Sequence, residues 1–596
     1  MDLLLAFSLP ITSSVQRVPV SSLRACCAER TGPRFRGLYQ TTRHVAVPRG
    51  ERHAPGFCGA PAPCASCGLS SLKLSSGAQR STREDAVLLR VAMIGTGYVG
   101  LVSGACFADA AHCCVVCVDS NAQKIDALKR GEMPIFEPGL ADLVRRNVQE
   151  GRLSFSTDLA AAVRDAQIVF IAVGTPSRRG DGHADLSYVF RAAEAIGKSL
   201  RSPGFTLIVN KSTVPVGTAR RVRELVQRNC APGASFEVVS NPEFLRQGTA
   251  VQDFMYPERV VIGMWENRFQ RQHECTAFRS APLHLHERRF VADTEPGFDT
   301  RKNAQTLMTQ LYTPIARISG APVLFTNVEE AELVKYAANA FLAMKLEFAN
   351  EIADLCEVAG ADISVVTHAI GLDARIGPDY LQAGPGFGGS CLPKDTRALA
   401  RIAQELWRPC RLVETVIEGN EARKRRIAQR IALAVVGNSA DMNHVYGRCI
   451  GVLGLTFKAH TDDTRDSPAV FIVRELVELG AKVRAYDPQA NHREVHQILG
   501  EDVELVCSAQ EAARGADVLA VLTEWPEIRQ ACDALGPEGL GSLMRHRVIF
   551  DARNLWRPED WLHSGFTYHS IGRPTIYADT AASFADASVH TTQRLR

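Results

Sequence analysis

Short, nearly unbroken apolar runs alternate along this chain with longer stretches whose apolar residues recur at helical spacing. The runs include Val91-Ala92-Met93-Ile94, Val115-Val116-Cys117-Val118, Ile168 to Val173, Thr206 to Val209 and Phe236 to Val239. Strands that read as continuous apolar segments are buried on both faces, and their alternation with helices is the pattern of a doubly wound parallel sheet. From Glu329 to about Gly360 an alanine-rich, glycine-poor, amphipathic stretch predicts one long helix, and helical segments resume beyond a glycine-rich loop through Val435. A second series opens at Cys449, with Ile450 to Leu455 as one strand and Lys482 to Pro488 around its partner. The expected fold is α/β, with two Rossmann-like doubly wound domains joined by a central long-helix region. The expected boundaries are 86–328 and 441–575 for the two sheet domains and 329–440 for the helical middle.

Three segments fall outside this pattern. Residues 1–85 are rich in Ser, Arg, Pro, Gly and Cys and poor in acids, and read as a disordered N-terminal extension or targeting segment. Their arginine and serine content resembles an organellar transit peptide, Leu3 to Leu9 resembles a short secretory core, and a start upstream of a cytoplasmic enzyme is the third reading. A stretch at about 266–301 carries several His and Arg residues without periodicity, and reads as an exposed loop or a retained intron inserted in the first domain. Residues 576–596 read as a tail.

Composition narrows the function classes. A chain of 596 residues, 46% of them hydrophobic, has ample core for two domains, and a net charge of +3 implies no nucleic-acid partner. There is no uninterrupted run of about twenty apolar residues, so no membrane span is expected. The 17 cysteines, several of them inside apolar runs such as Cys113, Cys114 and Cys117, read as reduced thiols of a cytoplasmic protein. Cys58, Cys64 and Cys67 include a CxxC without a second pair, so no metal site is expected.

Two motifs carry chemistry. The first apolar run leads into Gly95-Thr96-Gly97-Tyr98-Val99-Gly100 and a small-residue helical stretch, and the second run ends at Asp119. Strand, glycine turn and helix, with an acid at the end of the next strand, form a dinucleotide fingerprint; a carboxylate there binds the ribose hydroxyls of NAD and disfavours the 2′-phosphate of NADP. The other motif is Gly384-Pro385-Gly386-Phe387-Gly388-Gly389-Ser390-Cys391-Leu392-Pro393-Lys394-Asp395. Its glycines suggest close approach of backbone to a ligand. A following cation, or a helix beginning at the Leu-Pro step, would favour the Cys391 thiolate, and Asp395 is placed to orient a hydrolytic water. A thiolate beside a dinucleotide site suggests oxidation through a thiohemiacetal, because hydride leaves readily from carbon bearing a thiolate adduct.

These residues, with several others in order, resemble the UDP-glucose/GDP-mannose dehydrogenase family over roughly Val91 to Pro574. The shared motifs include Ile135 to Leu140, Val173-Gly174-Thr175-Pro176, Lys211 to Thr218, Asn241-Pro242-Glu243-Phe244-Leu245-Arg246, Glu332 to Ala340, the cysteine loop, and Leu453 to Lys458. The resemblance implies an NAD-dependent four-electron oxidation of a sugar C6 alcohol, UDP-glucose becoming UDP-glucuronate. It implies Cys391 as the nucleophile, Lys335 and Asn339 as the oxyanion-holding pair on one helical face, Asp395 as a positioner of water, and Glu243 with Thr213 as the acid/base and hydroxyl-holding pair. For the cofactor it adds Tyr98, Val99, Lys124, Thr175, Thr213, Lys394 and Arg465 to Gly95, Gly97, Gly100 and Asp119. For the substrate it points to Glu243 through Arg246, Lys335, Asn339, Tyr380, Leu381, Gln382, Ala383, Gly384, Gly388 and Lys458. Arg375 resembles an arginine lent to a neighbouring subunit, so a homodimer or larger homo-oligomer, formed through the helical middle, is implied.

One position departs from the family. Where an acid commonly stands four residues after Glu243, this chain has Gln247, which keeps length and hydrogen bonding but loses charge. If that position contacts nicotinamide or orders water, activity survives with altered kinetics; if it must accept a proton, turnover falls. The second domain lacks GxGxxG, which argues against a second dinucleotide site. Three alternatives stay open: the same chemistry on UDP-N-acetylhexosamine or GDP-mannose, an inactive NAD-binding paralogue, and a single-step hydroxyacid dehydrogenase that would need no Cys391.

Overall fold

The structure, a computed structural model, describes residues 88–578 apart from 112, 179–181, 266–298 and 437–444. The expectations for residues 1–85, nearly all of the 266–301 stretch and most of the 576–596 tail lie outside the described residues. Beyond the undescribed stretch the chain resumes as the Thr300–Ser319 helix, whose start the Asp299 carboxylate caps by accepting hydrogen bonds from Arg301 N and Lys302 N.

The apolar runs become two sheets. The first contains β1 (Arg90–Ile94), β2 (Cys114–Val118), β3 (Leu153–Ser156), β4 (Ile168–Ile171), β5 (Gly204–Asn210), β6 (Ala234–Ser240), β7 (Val260–Met264) and β8 (Val323–Asn327), in the order β3-β2-β1-β4-β5-β6-β7-β8. The second contains β9 (Cys449–Leu453), β10 (Lys482–Tyr486), β11 (Val503–Leu505), β12 (Val518–Val521), β13 (Val548–Asp551) and β14 (Thr567–Ser570), in the order β11-β10-β9-β12-β13-β14. Pairing is parallel except where β6 meets β7, an antiparallel contact at Ser240 and Gly263. Strands β3, β7, β8 and β11 to β14 are not among the strands expected above; β3 alternates buried and exposed residues and β8 is only partly buried, whereas β7 and β12 are fully buried.

The unbroken apolar runs have their physical reason in two-sided burial. Side chains alternate along a strand, so Val91 and Met93 enter the core on one face of the first sheet, while Ala92 and Ile94 enter the core on the other. Phe107 anchors the first of these cores, with its ring centroid 5.2 Å from that of Phe170, 4.9 Å from Phe254 and 5.4 Å from Tyr312. The second sheet repeats the scheme, Ile450 and Val452 packing on one face and Leu453, Leu519 and Val521 on the other. Among the described residues no helix is long and apolar enough to cross a membrane.

Between the sheets runs the long helix Val328–Ala359, started by a capping box in which Asn327 and Glu330 satisfy each other's backbone ends. This helix also caps a neighbour. The Thr218–Asn229 helix begins at Gly217, which has no side chain, and Glu332 supplies the missing acceptors: Oε2 to Gly217 N at 2.7 Å and Oε1 to Ala219 N at 2.8 Å. Burial raises the Glu332 carboxyl to about 7, although these two amides pull the other way. A carboxyl whose folded value lies above its unfolded one stabilises the fold most below the ordinary carboxylate range, and that stability is lost as pH rises toward 7. Glu332→Gln is therefore expected to flatten the pH dependence of unfolding between pH 4.5 and 7 by roughly 3 kcal/mol, read from urea titrations across that span.

Candidate active site

The glycine fingerprint occupies the switch point of the first sheet, where the chain order reverses between β1 and β4. Gly95 has φ +106°, and a Cβ there would lie 2.5 Å from Ala172 O; a Cβ on Gly100 would lie 1.9 Å from Gly95 O. These two glycines permit the turn and its close packing on β4. Gly97, which caps the Tyr98–Ala110 helix, faces open space: a Cβ there would have no heavy atom within 4 Å. Asp119 closes the cradle: its carboxylate accepts from Thr96 Oγ1 at 2.7 Å, Thr96 N at 3.0 Å and Asn121 N at 3.0 Å, with Lys124 Nζ at 3.5 Å. Partial burial would raise this carboxyl, but the hydrogen bonds and Lys124 together hold it below its ordinary value. An open glycine at a helix N-terminus and a partly exposed carboxylate beyond it fit a dinucleotide: Gly97, Tyr98 and Val99 are the residues that could hold its phosphates and Asp119 the one that could hold its ribose. Tyr98 is already engaged, donating its hydroxyl to Glu137, whose carboxylate also accepts from Gly248 N and Ala250 N, each at 2.7 Å.

The cysteine loop owes its glycines to protein packing. A Cβ on Gly388 would lie 2.4 Å from Asp466 O, one on Gly389 2.8 Å from the Phe457 ring, and one on Gly386 2.8 Å from Asn420 Oδ1. Gly388 and Gly389 thus make room for the segment that follows β9, and Gly386 for the Asn420 side chain. Asn420 locks the loop by accepting from Phe387 N at 2.8 Å and donating to Phe387 O at 3.0 Å. Gly384 is held likewise, its N donating to Asn350 at 2.9 Å and its carbonyl accepting from Arg423 at 3.1 Å.

Cys391 caps the Leu392–Glu405 helix, as the Leu-Pro step predicts, and is half-buried. The thiolate expectation needs correction. Burial raises the thiol, Glu243 and Asp395 raise it further, and Lys335 and Lys394 only partly oppose them.

Around the cysteine, side chains from separate elements converge. Lys335 and Asn339, one turn apart on the long helix, are both buried. Lys335 Nζ pairs with Glu243 Oε1 at 3.1 Å, and Asn339 Nδ2 donates to Asp395 Oδ2 at 2.6 Å. Lys394 Nζ reaches Asp395 Oδ1 at 2.5 Å, and Glu243 Oε2 accepts from Leu245 N at 2.6 Å. Burial alone would lower the Lys335 ammonium, but the Glu243 carboxylate, with Cys391 once ionised and Asp395, holds it above its ordinary value. Thr213 follows β5, its carbonyl accepting from Thr175 Oγ1 at 3.0 Å.

A cavity of about 560 Å³ adjoins this cluster, lined by Lys211, Glu243, Phe244, Leu245, Arg246, Lys335, Asn339 and Tyr380 among others. Two cations lie near the Phe244 ring, Arg259 at 4.1 Å and Lys335 at 5.5 Å from its centre. Arg246 is paired with Asp253 at 2.7 Å. Tyr380 adopts φ +62°, and burial raises its hydroxyl although Arg246 and Lys335 act against this. Lys458 is lowered by burial.

Several expected site residues lie elsewhere. Leu381 is buried and Gln382 exposed, neither on the cavity wall, and Ala383 packs against the core of the second sheet. Arg375 is exposed and paired with Asp373 at 2.6 Å, outside the cavity of its own chain. Arg465 and Gln247 both meet Asp463, the former at 2.6 Å and the latter at 2.8 Å.

The structure adds residues to which the sequence reading assigned no role. Lys211 Nζ, beneath the cavity, donates to Asn241 Oδ1 at 3.1 Å and lies 3.3 Å from Tyr312 Oη; burial lowers it to about 8, with Glu243 opposing and Lys335 reinforcing. Its presence in the Lys-Ser-Thr motif was the available signal. Asn241 and Tyr312 gave none alone, because Tyr312 lies 71 positions away.

The second sheet repeats the cradle in closed form. Gly454, with φ +95°, follows β9, and Thr456 donates through N and Oγ1 to Asp487 after β10, as Thr96 does to Asp119. Here the carboxylate is covered: Trp525 Nε1 donates to it at 3.2 Å, and Leu455, Gln489 and Ala490 donate backbone amides. No lone pair faces a ribose, which is the physical counterpart of the missing GxGxxG. Asp119→Ala is thus expected to weaken NAD binding about tenfold, the scale of one lost charge-assisted hydrogen bond, in calorimetric titration, whereas Asp487→Ala leaves NAD affinity unchanged and lowers thermal stability.

Comparison with known proteins agrees with this geometry. Residues 89–276 match the family model for the UDP-glucose/GDP-mannose dehydrogenase NAD binding domain, 329–422 its central domain and 451–558 its UDP binding domain. The chain is 48% identical over 486 residues to a UDP-glucose 6-dehydrogenase of Rhizobium meliloti, covering 82% of this chain and 100% of that one. It is 45% identical to UDP-glucose 6-dehydrogenase TuaD of Bacillus subtilis, covering 82% and 94%. Among solved structures, a UDP-glucose dehydrogenase from Pyrobaculum islandicum superposes with a TM-score of 0.68 at 35% identity, over 82% of this chain and 99% of that one. With its cradle, its cysteine loop and three consecutive domain matches, the chain belongs to the UDP-glucose/GDP-mannose dehydrogenase family.

Proposed function

We propose that this chain catalyses the NAD-dependent four-electron oxidation of UDP-glucose to UDP-glucuronate through thiohemiacetal and thioester intermediates on Cys391. The observation that carries the reading is the convergence of Lys335, Glu243, Asn339 and Asp395 beside Cys391, with Lys335, Glu243 and Asn339 also lining the adjoining cavity. The choice of UDP-glucose rests on the two curated relatives at 48% and 45% identity. We assign the domains as 86–328 for NAD, 329–440 for the cysteine loop and subunit contact, and 441–575 for the UDP-sugar.

NAD bound in the Gly95–Asp119 cradle supplies a hydride acceptor for C6, used twice in succession. Thr213 and Glu243 hold the C6 hydroxyl, and the Glu243 carboxylate takes its proton as the alcohol becomes an aldehyde. The Cys391 sulfur then bonds to C6 while its proton passes to the new hydroxyl oxygen. Lys335 Nζ and Asn339 Nδ2 stabilise negative charge on that oxygen, an ammonium and an amide donor in a dry site where both act strongly. In the second oxidation C6 gives up its remaining hydride and that oxygen its proton, which leaves C6 as a thioester. Asp395 orients a water whose oxygen bonds to C6 as the C–S bond breaks, leaving carboxylate and free thiol. Phe244 through Arg246, Tyr380, Gly384, Gly388 and Lys458 are assigned to the sugar nucleotide, and Lys394, Arg465 and Thr175 to the nicotinamide side. A catalytic thiol requires a reducing setting, which supports a cytoplasmic location; the described cysteines are all unpaired.

The same reading makes the protein a homodimer. The long helix exposes Phe341, Phe348 and Leu355 at seven-residue spacing, and Leu372 and Ile376 flank the exposed Arg375. An apolar stripe with that repeat is the seam of a helix pair, and its burial would bring Arg375 to a neighbour's cavity.

Purified protein is expected to form two NADH per UDP-glucose consumed. Cys391→Ser should lower that turnover by on the order of a thousandfold or more. A ratio of one with Cys391→Ser still active would replace the reading by a single-step dehydrogenase. Turnover confined to UDP-N-acetylglucosamine or GDP-mannose would move the specificity to a sister enzyme. Phe348→Asp is expected to reduce the mass in light scattering to that of one chain; an unchanged mass would remove the helix seam.

A further inference from the structure

Gln247 stands where three parts of the molecule meet. It precedes Gly248 on the loop that follows β6, and is 9% exposed. Its Nε2 donates to Asp463 Oδ2 at 2.8 Å, on the segment after β9, and lies 3.4 Å from Ser390 Oγ, the residue before Cys391. Ser390 Oγ is itself 3.7 Å from the Cys391 sulfur. One amide nitrogen therefore joins the first sheet, the cysteine loop and the second sheet.

The surroundings make this junction rigid. Asp463 is buried and clasped by Arg465 through Nε at 2.8 Å and Nη2 at 2.6 Å. Arg465 O accepts from Gly389 N at 3.0 Å, and Asp463 O accepts from Phe457 N at 3.2 Å. Phe457 is the ring against which Gly389 packs. The same segment touches the first domain again, where Asp462 Oδ2 accepts from Phe136 N at 3.2 Å and a Cβ on Gly248 would meet His460 O at 2.8 Å.

We infer that Gln247 is a positioning residue that clamps the Cys391 loop between the two sheet domains, by donating through one amide to Asp463 and Ser390. The clamp needs an amide. Asp463 Oδ2 is an acceptor, so the group opposite it must donate; a carboxylate there would set two like charges at hydrogen-bond distance, of which only one can stay ionised. An acid at this position, as the family commonly carries, would face Asp463 only with one of the two carboxyls protonated or with its side chain turned away, so in this chain the clamp is a property of the amide. Its Oε1, buried and without a protein partner, does not compete for the clamp.

The catalytic consequence rests on Cys391 being the nucleophile of the proposed reaction, but the clamp itself is measurable without turnover. In ligand-free full-length protein, alkylation of Cys391 by iodoacetamide is read by peptide mass spectrometry, with exposed Cys507 as internal standard. Gln247→Met is expected to change the Cys391 rate about fivefold and to leave Cys507 unchanged. Gln247→Glu, which keeps the side chain's length, is expected to act in the same direction and serves if the methionine variant does not fold. Asp463→Asn combined with Gln247→Met is expected to be no worse than the stronger single change, because the two share one interaction. In turnover, kcat should fall roughly tenfold while the UDP-glucose KM moves less than twofold, the pattern of a misplaced nucleophile. An unchanged Cys391 alkylation rate in both Gln247 variants, or additive effects of the Gln247 and Asp463 changes, would overturn the clamp. A protein that oxidises no UDP-glucose but shows the alkylation change would overturn the proposed reaction and leave the clamp standing.

Discussion

The buried ion pair between Lys335 and Glu243 is the interaction on which the rest of the site depends. Both side chains keep only 4% exposure, so each has lost its water, and neither charge is tolerable without the other. Removing one partner from such a pair costs about 3–5 kcal/mol, because a bare charge is left behind. The chain meets that demand by placing the lysine on the most regular element it has, the long helix, and the glutamate beside Pro242 on a loop tied to β5 and the Thr300–Ser319 helix through Asn241. Asn241 is saturated in turn, accepting from Lys211 and Tyr312 and donating to Val261 O at 2.8 Å. The pair also sets the electrostatics of the cysteine. Lys335 favours the thiolate and Glu243 opposes it, and with burial acting on the same side as Glu243 the thiol stays above its ordinary value in the ligand-free protein.

The two sheets begin with one device and put it to different ends. In each, a glycine with positive φ follows the central strand and a threonine then donates to an aspartate at the end of the neighbouring strand. A Cβ on Gly95 would meet Ala172 O at 2.5 Å and one on Gly454 would meet Thr523 Cβ at 2.3 Å, so both turns are packed against the adjacent strand's exit. What separates them is how the carboxylate is covered. Trp525 lies over Asp487 and donates to it, while nothing comparable covers Asp119 among the described residues. One carboxylate is thereby left for a ribose and the other becomes part of the fold.

The cysteine loop is the place where the two halves are joined. Its glycines are demanded by Asp466, Phe457 and Asn420, which come from the second sheet's first loop and from the Arg411–Val436 helix. A β-carbon at Gly388 or Gly389 would push that loop away and carry Cys391 with it. Catalytic geometry in such an arrangement is a property of domain packing as much as of the loop's own conformation, and small displacements there are costly to a reaction that needs near-contact distances.

What the sequence by itself determined is whatever short-range pattern can encode. Unbroken apolar runs specify strands buried on both faces; the glycine fingerprint with Asp119 specifies a dinucleotide cradle; the spacing of Lys335 and Asn339 puts both on one helical face; and Leu392-Pro393 after Cys391 starts a helix. Strand β3 escaped because it alternates buried and exposed residues and leaves no continuous apolar run. Only the tertiary structure decided that Lys335 pairs with Glu243, that Lys211, Asn241 and Tyr312 form one buried network, that the loop glycines face protein, and that Gln247 meets Asp463. Each of these depends on residues far apart in the chain, 216 positions in the last case, and such contacts leave no local periodicity to read. The protonation balance at Cys391 was hidden for the same reason: burial and the charges of Glu243 and Asp395 outweigh the adjacent Lys394, and burial exists only once the chain has folded.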